Sequence, residues 1–425
     1  MSAQKRSNKN MPLKSSVKSA AKYKIIITGA GGYLGSNIKD YYTSKGFAVY
    51  CLTSKETQEE HSYQIDMTRT NILYIINKIN PNAIIHTAAM SSLNECEKHP
   101  ELAMKINVQL TRDIVKAINT LNPNIKLIFI SSDYVFDGRN GGYIEKDRTD
   151  PVTVYGKTKA LSEKYITSNL KNYIICRTSG VYGRGGGNFF NFILKALQEN
   201  RPLDVLEDTF FTPTYIEYLL DSIKALLDLD FKGIIHIAGK ERISRFAFAQ
   251  QIAIILGKDK MLIRPVKGLV SGLISKDSSL NCDYAHNVLD IYVPSIEESL
   301  RHYFYNIKYP YFYSVDSRGK FIGILRGLKW EEINYVETNE GDVRGGHYHK
   351  LTEEAFYIIA GKIEVSLTNL ITNTKRELFI HEGDILIIEP YILHTFKILE
   401  NSKWISMLSK AFDGKTKDMY YLTRP

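Results

Sequence analysis

The sequence lacks the features that identify several classes of protein. Its four cysteines, spread over 425 residues without a Cys-x-x-Cys pair, indicate neither a zinc knuckle nor a disulfide framework. They are typical of a reducing compartment, so we expect a cytoplasmic protein. No apolar run approaches the roughly 18 residues of a transmembrane helix, and no membrane span is predicted. Glycine (28) is near its average usage and proline (12) is below it, which excludes collagen-like and disordered chains.

Acidic residues are absent from the N-terminus. Residues 1–22 contain six Lys or Arg side chains and no Asp or Glu, so six of the nine net positive charges lie there. This segment lacks the apolar core of a secretory signal. We predict a basic, disordered tail over residues 1–22; a nucleic-acid or membrane arm is the less favoured alternative, and no nucleic-acid partner is expected.

From residue 23 to about residue 240, short β-branched runs alternate with longer amphipathic segments. Strict alternation of strand and helix predicts a doubly wound α/β domain with a parallel sheet. The predicted strands are Lys24–Thr28, Ala48–Leu52, Ala83–Thr87, Lys126–Ser131, Tyr173–Arg177 and Ile234–Ala238. The helical segments between them include Gly35–Lys45, Thr70–Ile79, Glu101–Leu121 and Lys157–Leu170, which have the apolar spacing of helices.

The pattern changes after about residue 305. Short alternating runs, interrupted by glycines and Pro390, replace the helical spacing, which is typical of a small all-β barrel or sandwich. The Tyr-rich stretch Tyr303–Tyr313 is the predicted junction. We therefore predict a first domain over residues 23–305 and a second over residues 306–425, without internal duplication.

The first predicted strand leads directly into a glycine-rich turn and then a helix. The turn reads Gly29-Ala30-Gly31-Gly32-Tyr33-Leu34-Gly35. Gly29, Gly32 and Gly35 permit a tight turn, close approach of a pyrophosphate and close helix–strand packing. Because this turn opens a repeating strand–helix pattern, it predicts a dinucleotide site rather than a merely tight turn.

The residues after the second strand bear on the choice of cofactor. Ser54 and Lys55 stand where an NAD site usually has an acid. A hydroxyl and an ammonium suit a 2′-phosphate, so NADP is favoured and NAD stays open. A surface turn of the same composition is the alternative.

A second group of residues predicts reductase chemistry. Ser132 follows the fourth strand, and Tyr155 and Lys159 lie one helical turn apart on the next helix. Hydride delivery to a ketone requires a proton donor. A tyrosine with a pKa lowered by an adjacent ammonium can supply it, while Ser132 hydrogen-bonds the carbonyl oxygen.

These motifs resemble the extended short-chain dehydrogenases, in particular the dTDP-4-dehydrorhamnose reductase branch. The resemblance covers about residues 23–300 and is carried by Ile130–Gly138, Val154–Lys159, Ile65–Thr68, Ala88-Ala89, Asn107 and Lys276–Leu280. It implies that Asp66 and Met67 flank the adenine, that Ala88 and Ala89 line the cofactor, and that Ser132, Tyr155 and Lys159 are catalytic. Gly180 departs from the branch, which often has a tryptophan there against the sugar. The regulatory β subunit of methionine adenosyltransferase shares the Ser131–Gly138 string, so the motif also fits a regulator.

A third group of residues lies in the predicted β domain. His347 and His349 are two residues apart on one strand, so their side chains share a face. Glu354 follows closely and His394 comes from a distant strand. Three histidines and a carboxylate suit a divalent metal such as Zn, Mn, Fe or Ni, with Zn favoured. A metal-free catalytic barrel and a barrel kept for dimerisation are the alternatives.

The spacing Gly341-x5-His347-x-His349-x4-Glu354-x6-Gly361 is similar to the first cupin motif. The second motif, Gly383 to His394, is looser. With the segment Asp316–Phe321, the fusion resembles the CapF family of bifunctional capsular-polysaccharide enzymes. That resemblance implies a cupin that epimerises a nucleotide 4-keto-6-deoxy sugar and a reductase that uses NADPH. As a hypothesis, we assign His347, His349, Glu354 and His394 to metal or base roles, with His347 and His349 as the catalytic candidates. The resemblance also implies a homo-oligomer, with a dimer expected. A reductase with an inert barrel and an NADP-binding regulator are the alternatives.

Overall fold

The computed structural model describes residues 23–56, 60–185, 188–268, 274–289, 293–308, 312–316, 319–324, 330–411 and 418–421. The predicted tail over residues 1–22 lies outside them. The chain forms two compact units, one made of residues up to 130 with residues 158–175 and the other of residues 131–157 with residues 176–425. Among the described residues, no helix is both long and apolar enough to span a bilayer.

The predicted alternation of strands and helices is confirmed. The strands are β1 (Lys24–Thr28), β2 (Ala48–Thr53), β3 (Ser62–Gln64), β4 (Ala83–His86), β5 (Lys126–Ser132), β6 (Tyr173–Thr178), β7 (Val181–Tyr182), β8 (Leu203–Leu206), β9 (Phe210–Phe211), β10 (Thr214–Tyr215), β11 (Gly233–His236), β12 (Ile243–Ser244) and β13 (Ile263–Val266). The helices are α1 (Tyr33–Ser44), α2 (Ile72–Ile79), α3 (Leu93–Lys98), α4 (Pro100–Ala103), α5 (Leu110–Leu121), α6 (Val154–Asn169), α7 (Phe189–Gln198), α8 (Ile216–Asp228), α9 (Arg245–Ile255), α10 (Asp283–Leu289) and α11 (Ile296–Tyr305).

The main sheet has seven strands in the order β11-β6-β5-β4-β1-β2-β3. β1 pairs in parallel with β2 on one side and with β4 on the other. The isoleucines of β1, Ile25 to Ile27, are fully buried, because helices cover both faces of a parallel sheet. This order reverses direction at β1, as in dinucleotide-binding folds. The predicted doubly wound domain is therefore correct.

Local sequence explains where helices begin and end. The side chain of Asn71 accepts a hydrogen bond from the Tyr74 amide and caps α2, and Asn80 ends the same helix in the left-handed conformation. The segment Glu101–Leu121, predicted as one helix, differs: it contains a π-helical stretch over Met104–Gln109 between α4 and α5. Such π turns are rare and concentrate at functional sites.

The described residues after Asn306 form strands only, as the sequence predicts. The strands are β14 (Ile307–Lys308), β15 (Phe312–Asp316), β16 (Gly319–Gly323), β17 (Glu332–Thr338), β18 (Val343–Tyr348), β19 (Glu354–Ala360), β20 (Lys362–Asn369), β21 (Thr374–His381), β22 (Ile385–Ile388), β23 (Ile392–Ile398), β24 (Ser402–Leu408) and β25 (Tyr420–Tyr421). Two five-stranded sheets have the orders β14-β22-β19-β24-β17 and β21-β20-β23-β18-β25. Apolar side chains from both sheets, including Phe356, Phe396 and Trp404, form one core.

A buried ion pair joins α11 to the β domain within the second unit. Arg301 donates to both carboxylate oxygens of Asp384 at 2.9 and 2.7 Å, and also to the carbonyl oxygen of Phe379. Both partners are buried. A planar bidentate pair of this kind fixes orientation as well as position, so α11 is held against β21 and the turn between β21 and β22.

Candidate active sites

The glycine-rich turn is closely packed at two of its glycines. Gly29 has a φ of +72°, and a Cβ there would lie 2.7 Å from the backbone of Ala88. A Cβ on Gly35 would lie 2.1 Å from the carbonyl oxygen of Gly29. Both positions therefore require glycine, the first for conformation and contact and the second for contact. The structure brings together Gly29 and Ala88, which the sequence predicted to line one cofactor.

The N-terminus of α1 has no side-chain cap. Gly32 is the N-cap, without a side chain to accept hydrogen bonds, and the first turn, which includes Tyr33 and Leu34, contains no acid. Four backbone N–H groups at a helix start have no partner within the helix. An uncapped start beside a glycine turn is suited to bind a phosphate group.

The residues predicted to select the cofactor lie at neighbouring strand ends. Ser54 and Lys55 follow β2 and are exposed. The Lys55 side-chain carbons lie 3.3 and 3.6 Å from the position of a Cβ on Gly31, so this lysine extends over the glycine turn. Asp66 and Met67 follow β3, which pairs with the end of β2. Hydrogen bonds from Thr68 hold the pKa of Asp66 below its usual value.

The end of β5 differs from expectation in one respect. Ser132 is its last residue, but its hydroxyl donates to the Asp133 carboxylate at 2.8 Å. Ser179 and Ser278 each donate to the other oxygen of Asp133 at 2.7 Å. Sequence reasoning assigned no role to Asp133. The Ser132 proton is thus engaged, and its oxygen also accepts from the Tyr134 amide at 3.3 Å, so the hydroxyl must rotate before it can donate to another group.

Tyr155 lies in the first turn of α6. Its ring packs edge-on against Tyr134, with centroids 6.1 Å apart. The start of the helix is held by the Thr153 hydroxyl, which accepts from the Gly156 amide. Gly156 is required there because a Cβ would lie 2.0 Å from the Tyr134 carbonyl oxygen. Close packing against the 3₁₀ turn after β5 therefore fixes the position of Tyr155.

Lys159 lies one turn further along α6 and is only 3% exposed. Its ammonium lies 4.2 Å from the ring centroid of Phe129. Burial lowers the pKa of Lys159 to about 7, although Glu163 opposes the shift. Burial and the Lys159 charge lower the pKa of the neighbouring His86 to about 3. His86 is therefore neutral, and Lys159 is the titratable group of this region near neutral pH.

Asn107, which carried the family resemblance, lies within the π-helical stretch. Its side chain accepts from the Met90 amide at 2.7 Å and donates to the Thr158 hydroxyl at 2.9 Å. Its main-chain carbonyl oxygen accepts hydrogen bonds from the hydroxyls of Thr111 and Ser162. Asn107 thus ties α6 to the segment after β4, a positioning role that sequence spacing alone does not reveal.

Gly180 follows β6 and has a φ of +46°. A Cβ there would lie 2.5 Å from the Phe211 ring. The Arg245 guanidinium stacks over both Phe211 and Phe189, at 5.1 and 5.0 Å from the ring centroids. Phe211 therefore fills the space next to Gly180, and a larger residue at position 180 would need this ring to move.

The four residues of the third group converge between the two sheets of the β domain. His347 pairs directly with His394 across β18 and β23. The Nε2 atoms of His349 and His394 lie 3.4 and 3.2 Å from one carboxylate oxygen of Glu354. Ligand atoms of His347, His349 and Glu354 lie within 4.8 Å of one another. The sequence predicted all four as ligands, and the structure brings all four together. We name them the His/Glu cluster.

The electrostatics of the His/Glu cluster follow from burial. His349, Glu354 and His394 are at most 5% exposed. Burial lowers the pKa of His394 to about 4 and also lowers the pKa of His347. Burial opposes the charged forms of His349 and Glu354 as well. Contacts with each other nevertheless raise the pKa of His349 and lower that of Glu354.

Polar atoms in the His/Glu cluster have no hydrogen-bond partner. These are Glu354 Oε2 and the Nε2 atoms of the three histidines. The opposite ring nitrogens of His349 and His394 face the carbonyl oxygens of Asp418 and Ile392. Buried polar atoms without partners are costly, and each calls for a physical explanation. Three imidazole nitrogens and one carboxylate oxygen directed at one point fit a divalent metal.

Comparisons with known proteins identify families that match each part of the chain. Residues 23–308 match the family described as RmlD substrate binding domain, and residues 314–420 match that described as polysaccharide biosynthesis C-terminal domain. The chain is 32% identical over 230 residues to spore coat polysaccharide biosynthesis protein SpsK of Bacillus subtilis, covering 54% of this chain and 78% of that protein. It is also 32% identical over 235 residues to dTDP-4-dehydrorhamnose reductase of Aggregatibacter actinomycetemcomitans, covering 53% and 76%.

A solved structure gives the same result for the fold. The crystal structure of dTDP-4-dehydrorhamnose reductase from Bacillus anthracis, in complex with NADP, superposes with a TM-score of 0.61 at 29% identity. It covers 67% of this chain and 99% of that chain. The resemblance predicted from the motifs of the first domain is confirmed. The chain therefore belongs to the RmlD family and carries a dTDP-4-dehydrorhamnose reductase-like domain followed by a polysaccharide biosynthesis C-terminal domain.

Proposed function

We propose that the protein is a bifunctional nucleotide-sugar enzyme of polysaccharide biosynthesis. The first domain, residues 23–305, reduces the 4-keto group of a nucleotide 4-keto-6-deoxy sugar with NADPH. The second domain, residues 306–425, is a cupin that epimerises the carbon next to that keto group, as in the CapF family. The observation that carries the second activity is the convergence of four buried, unpartnered donor atoms in the His/Glu cluster.

The chain offers groups that fit NADP. The uncapped start of α1 suits the pyrophosphate, and Lys55 suits the 2′-phosphate. Asp66 and Met67 are the candidates to flank the adenine, with Ala88 and Ala89 along the cofactor. When bound, NADPH supplies the hydride. Support for this cofactor comes from the Bacillus anthracis reductase, whose structure contains NADP.

The proton at the reduced carbonyl comes from this chain. Tyr155 donates it from its hydroxyl, and Lys159, on the same face of α6, favours the tyrosinate that remains. Ser132 positions the carbonyl oxygen once its hydroxyl rotates away from Asp133. Because burial lowers the pKa of Lys159 to about 7, the charge of this group changes around neutral pH.

The His/Glu cluster supplies the epimerisation. His347, His349, Glu354 and His394 would hold a divalent metal, which when bound supplies an electrophile for the developing enolate. The 4-keto group acidifies the neighbouring C–H bond, so a weak base removes that proton. His347 is the least buried of the three histidines. If it does not bind the metal, we assign proton transfer to it. Delivery of a solvent-derived proton to the opposite face of the enolate then inverts the carbon.

One experiment tests both activities together. The protein is mixed in deuterated water with NADPH and a UDP-2-acetamido- or dTDP-linked 4-keto-6-deoxy sugar, and cofactor oxidation and product deuteration are followed. NADPH oxidation with deuterium next to the reduced carbon is the expected result. Oxidation without deuterium would contradict the epimerase, and tight NADP binding without oxidation would favour a regulatory protein.

The reductase assignment has a matched pair of variants on one helix. Y155F should lower the reduction rate about 10²–10⁴-fold, because it removes the proton donor. Y165F removes a hydroxyl from the same helix ten residues away and should retain wild-type turnover. NADPH binding should survive in both variants. An undiminished rate in Y155F would show that another group protonates the sugar.

A reductase with a non-catalytic β domain is the second candidate. It is favoured by the relatives named above, which match only about half of this chain. We also propose, from the resemblance, that the protein is a cytoplasmic homo-oligomer. Sedimentation of the full-length chain tests the oligomer, and the deuterium experiment separates the two candidate functions.

A further inference from the structure

We propose that Asp418 is a positioning residue for the His/Glu cluster, which it organises through both its main chain and its side chain. This inference rests on the metal role proposed above. Asp418 lies near the C-terminus, 64 residues after Glu354, and no spacing rule connects it to the ligands. Its contacts reach one ligand directly and also reach the loop between that ligand and the next.

The main chain of Asp418 fixes one ligand. Its carbonyl oxygen accepts a hydrogen bond from Nδ1 of His349. A carbonyl oxygen cannot donate, so the proton of a neutral His349 must stay on Nδ1. The lone pair of this ring is then on Nε2, which lies 3.4 Å from Glu354 Oε2. Asp418 thereby selects the tautomer and ring orientation in which His349 can bind a metal.

The side chain of Asp418 fixes the loop between two ligands. Its carboxylate accepts from the backbone amides of Lys350, Leu351 and Thr352 at 2.9, 3.0 and 2.7 Å. It also accepts from the Thr352 hydroxyl at 2.7 Å. This loop leads from His349 at the end of β18 to Glu354 at the start of β19. One carboxylate therefore holds the segment whose shape sets the spacing of the two ligands.

Strand pairing holds Asp418 in register with the ligands. β25 pairs with β18, placing Tyr421 opposite His347 and Tyr420 opposite Tyr348. Asp418 lies two residues before β25, so this pairing fixes its position relative to β18 and the loop that follows it.

A purely structural loop anchor would make the same contacts, so the test must measure metal binding. Full-length D418A, D418N and T352V are compared with wild type. T352V removes one donor to the carboxylate while preserving side-chain volume. The control is D342N, because Asp342 is an exposed carboxylate at the start of β18 that accepts from Asn339 at 3.4 Å.

Two readouts are used, the dissociation constant for Zn²⁺ in competition with a chromophoric chelator and the visible absorption spectrum with Co²⁺. D418A should weaken Zn²⁺ binding about 10–100-fold, the range for the loss of a group that orients a metal ligand. D418N should lie between D418A and wild type, because its amide oxygen still accepts. T352V should weaken binding severalfold, D342N should match wild type, and the Co²⁺ spectrum should change only where the affinity falls.

The outcomes separate this inference from the metal role itself. Wild-type affinity and spectrum in D418A and T352V, with binding abolished in H349A, would overturn the positioning role and retain the metal site. If wild type and H349A both fail to bind Zn²⁺ or Co²⁺, the metal role is wrong and the inference falls with it. If D418A does not fold, T352V decides, and wild-type affinity there overturns the proposal.

Discussion

The glycine turn and the His/Glu cluster represent two ways of building a site. At the turn, Gly29 and Gly35 are required because any side chain there would clash, and the groups proposed to bind a ligand are backbone amides at the start of α1. In the cluster, the groups that could bind a ligand are buried side-chain atoms without hydrogen-bond partners, on β18, β19 and β23 and on His349 directly after β18. The first site depends on local chain geometry, and the second depends on how distant strands pair.

This difference has an energetic consequence. Amides at the end of a helix can be hydrated when no ligand is bound, so the turn costs little when empty. Buried donor atoms have no such substitute, and each costs about 1–3 kcal/mol without a partner. We therefore expect ligand removal to destabilise the β domain more than the first domain.

The largest predicted effect is that of metal removal from the β domain. At about a thousandfold excess over the dissociation constant, bound Zn²⁺ should raise the free energy of unfolding by about 4 kcal/mol. Both tryptophans of the chain, Trp330 and Trp404, lie in this domain, so their fluorescence in urea reports its unfolding. A chelator should remove the stabilisation from wild type.

Substitution within the cluster sharpens this prediction. E354M should lose the response to chelator, because it removes one of the four proposed metal ligands. E353Q, one residue away, should keep the full response. Equal responses to chelator in wild type and E354M would show that the stabilisation arises elsewhere.

Much of the fold was predictable because local sequence and tertiary structure agree. Runs such as Lys24–Thr28 are β-branched and buried on both faces, so the pattern alone indicates an interior strand. β3 was missed, because Ser62–Gln64 is short and polar and its pairing with β2 is a tertiary contact. The π-helical stretch was also missed, since the apolar spacing across Glu101–Leu121 is that of a continuous helix.

The sites were predictable to the extent that their residues are close in sequence or follow a known spacing. Tyr155 and Lys159, or His347 and His349, share a face by periodicity alone. Asp133 was not predictable, because Ser179 and Ser278 reach it from 46 and 145 residues away. Asp418 was missed for the same reason. Residues that act by holding others leave a weaker pattern than residues that act directly.

The second predicted effect concerns the turn. G29A combines the strain of a left-handed residue with a Cβ that would lie 2.7 Å from the Ala88 backbone. G257A is the matched control, since Gly257 has a φ of +63° and no heavy atom within 4 Å of its Cβ position. G257A should cost about 1–2 kcal/mol from conformation alone. G29A should cost about 1–3 kcal/mol more, from overpacking.

Urea denaturation followed by far-UV circular dichroism, which reports mainly the helices, measures both variants. G29A should also abolish measurable NADPH binding, whereas G257A should retain it. Equal losses of stability in the two variants would mean that the contact with Ala88 does not contribute to the cost of G29A. Glycine would then be required at position 29 only for its backbone conformation.

A smaller predicted effect is a change of stability with pH, which should arise from Lys159 in the first domain. Lys159 has a pKa of about 7 in the folded chain and about 10.5 when unfolded. Below pH 7 both states bind the proton, and the cost of the buried ammonium is present in full. Between pH 7 and 10.5 the unfolded chain binds more protons, so stability rises with pH, by about 2 kcal/mol from pH 7 to pH 9.

The variant K159M should lose this rise, because it has no proton to release. K157M, at an exposed position of the same helix, should keep it. The free energy of unfolding, measured by circular dichroism in urea at pH 7, 8 and 9, checks the prediction. The same slope in wild type and K159M would show that Lys159 stays charged in the folded protein.

The smallest predicted effect tests whether a side chain contributes to the binding of NADPH at the glycine-rich turn. Lys55 extends over Gly31, and its ammonium can pair with a 2′-phosphate at a solvent-exposed position, where an ion pair contributes about 1 kcal/mol. K55A should therefore weaken NADPH binding about tenfold or less and leave NADH binding unchanged. K45A, which removes an exposed lysine just after α1, should affect neither cofactor. Fluorescence titration with both cofactors measures the ratio. An equal loss for NADPH and NADH would mean that Lys55 acts on the shared pyrophosphate, and the turn would then have no side-chain basis for preferring NADP.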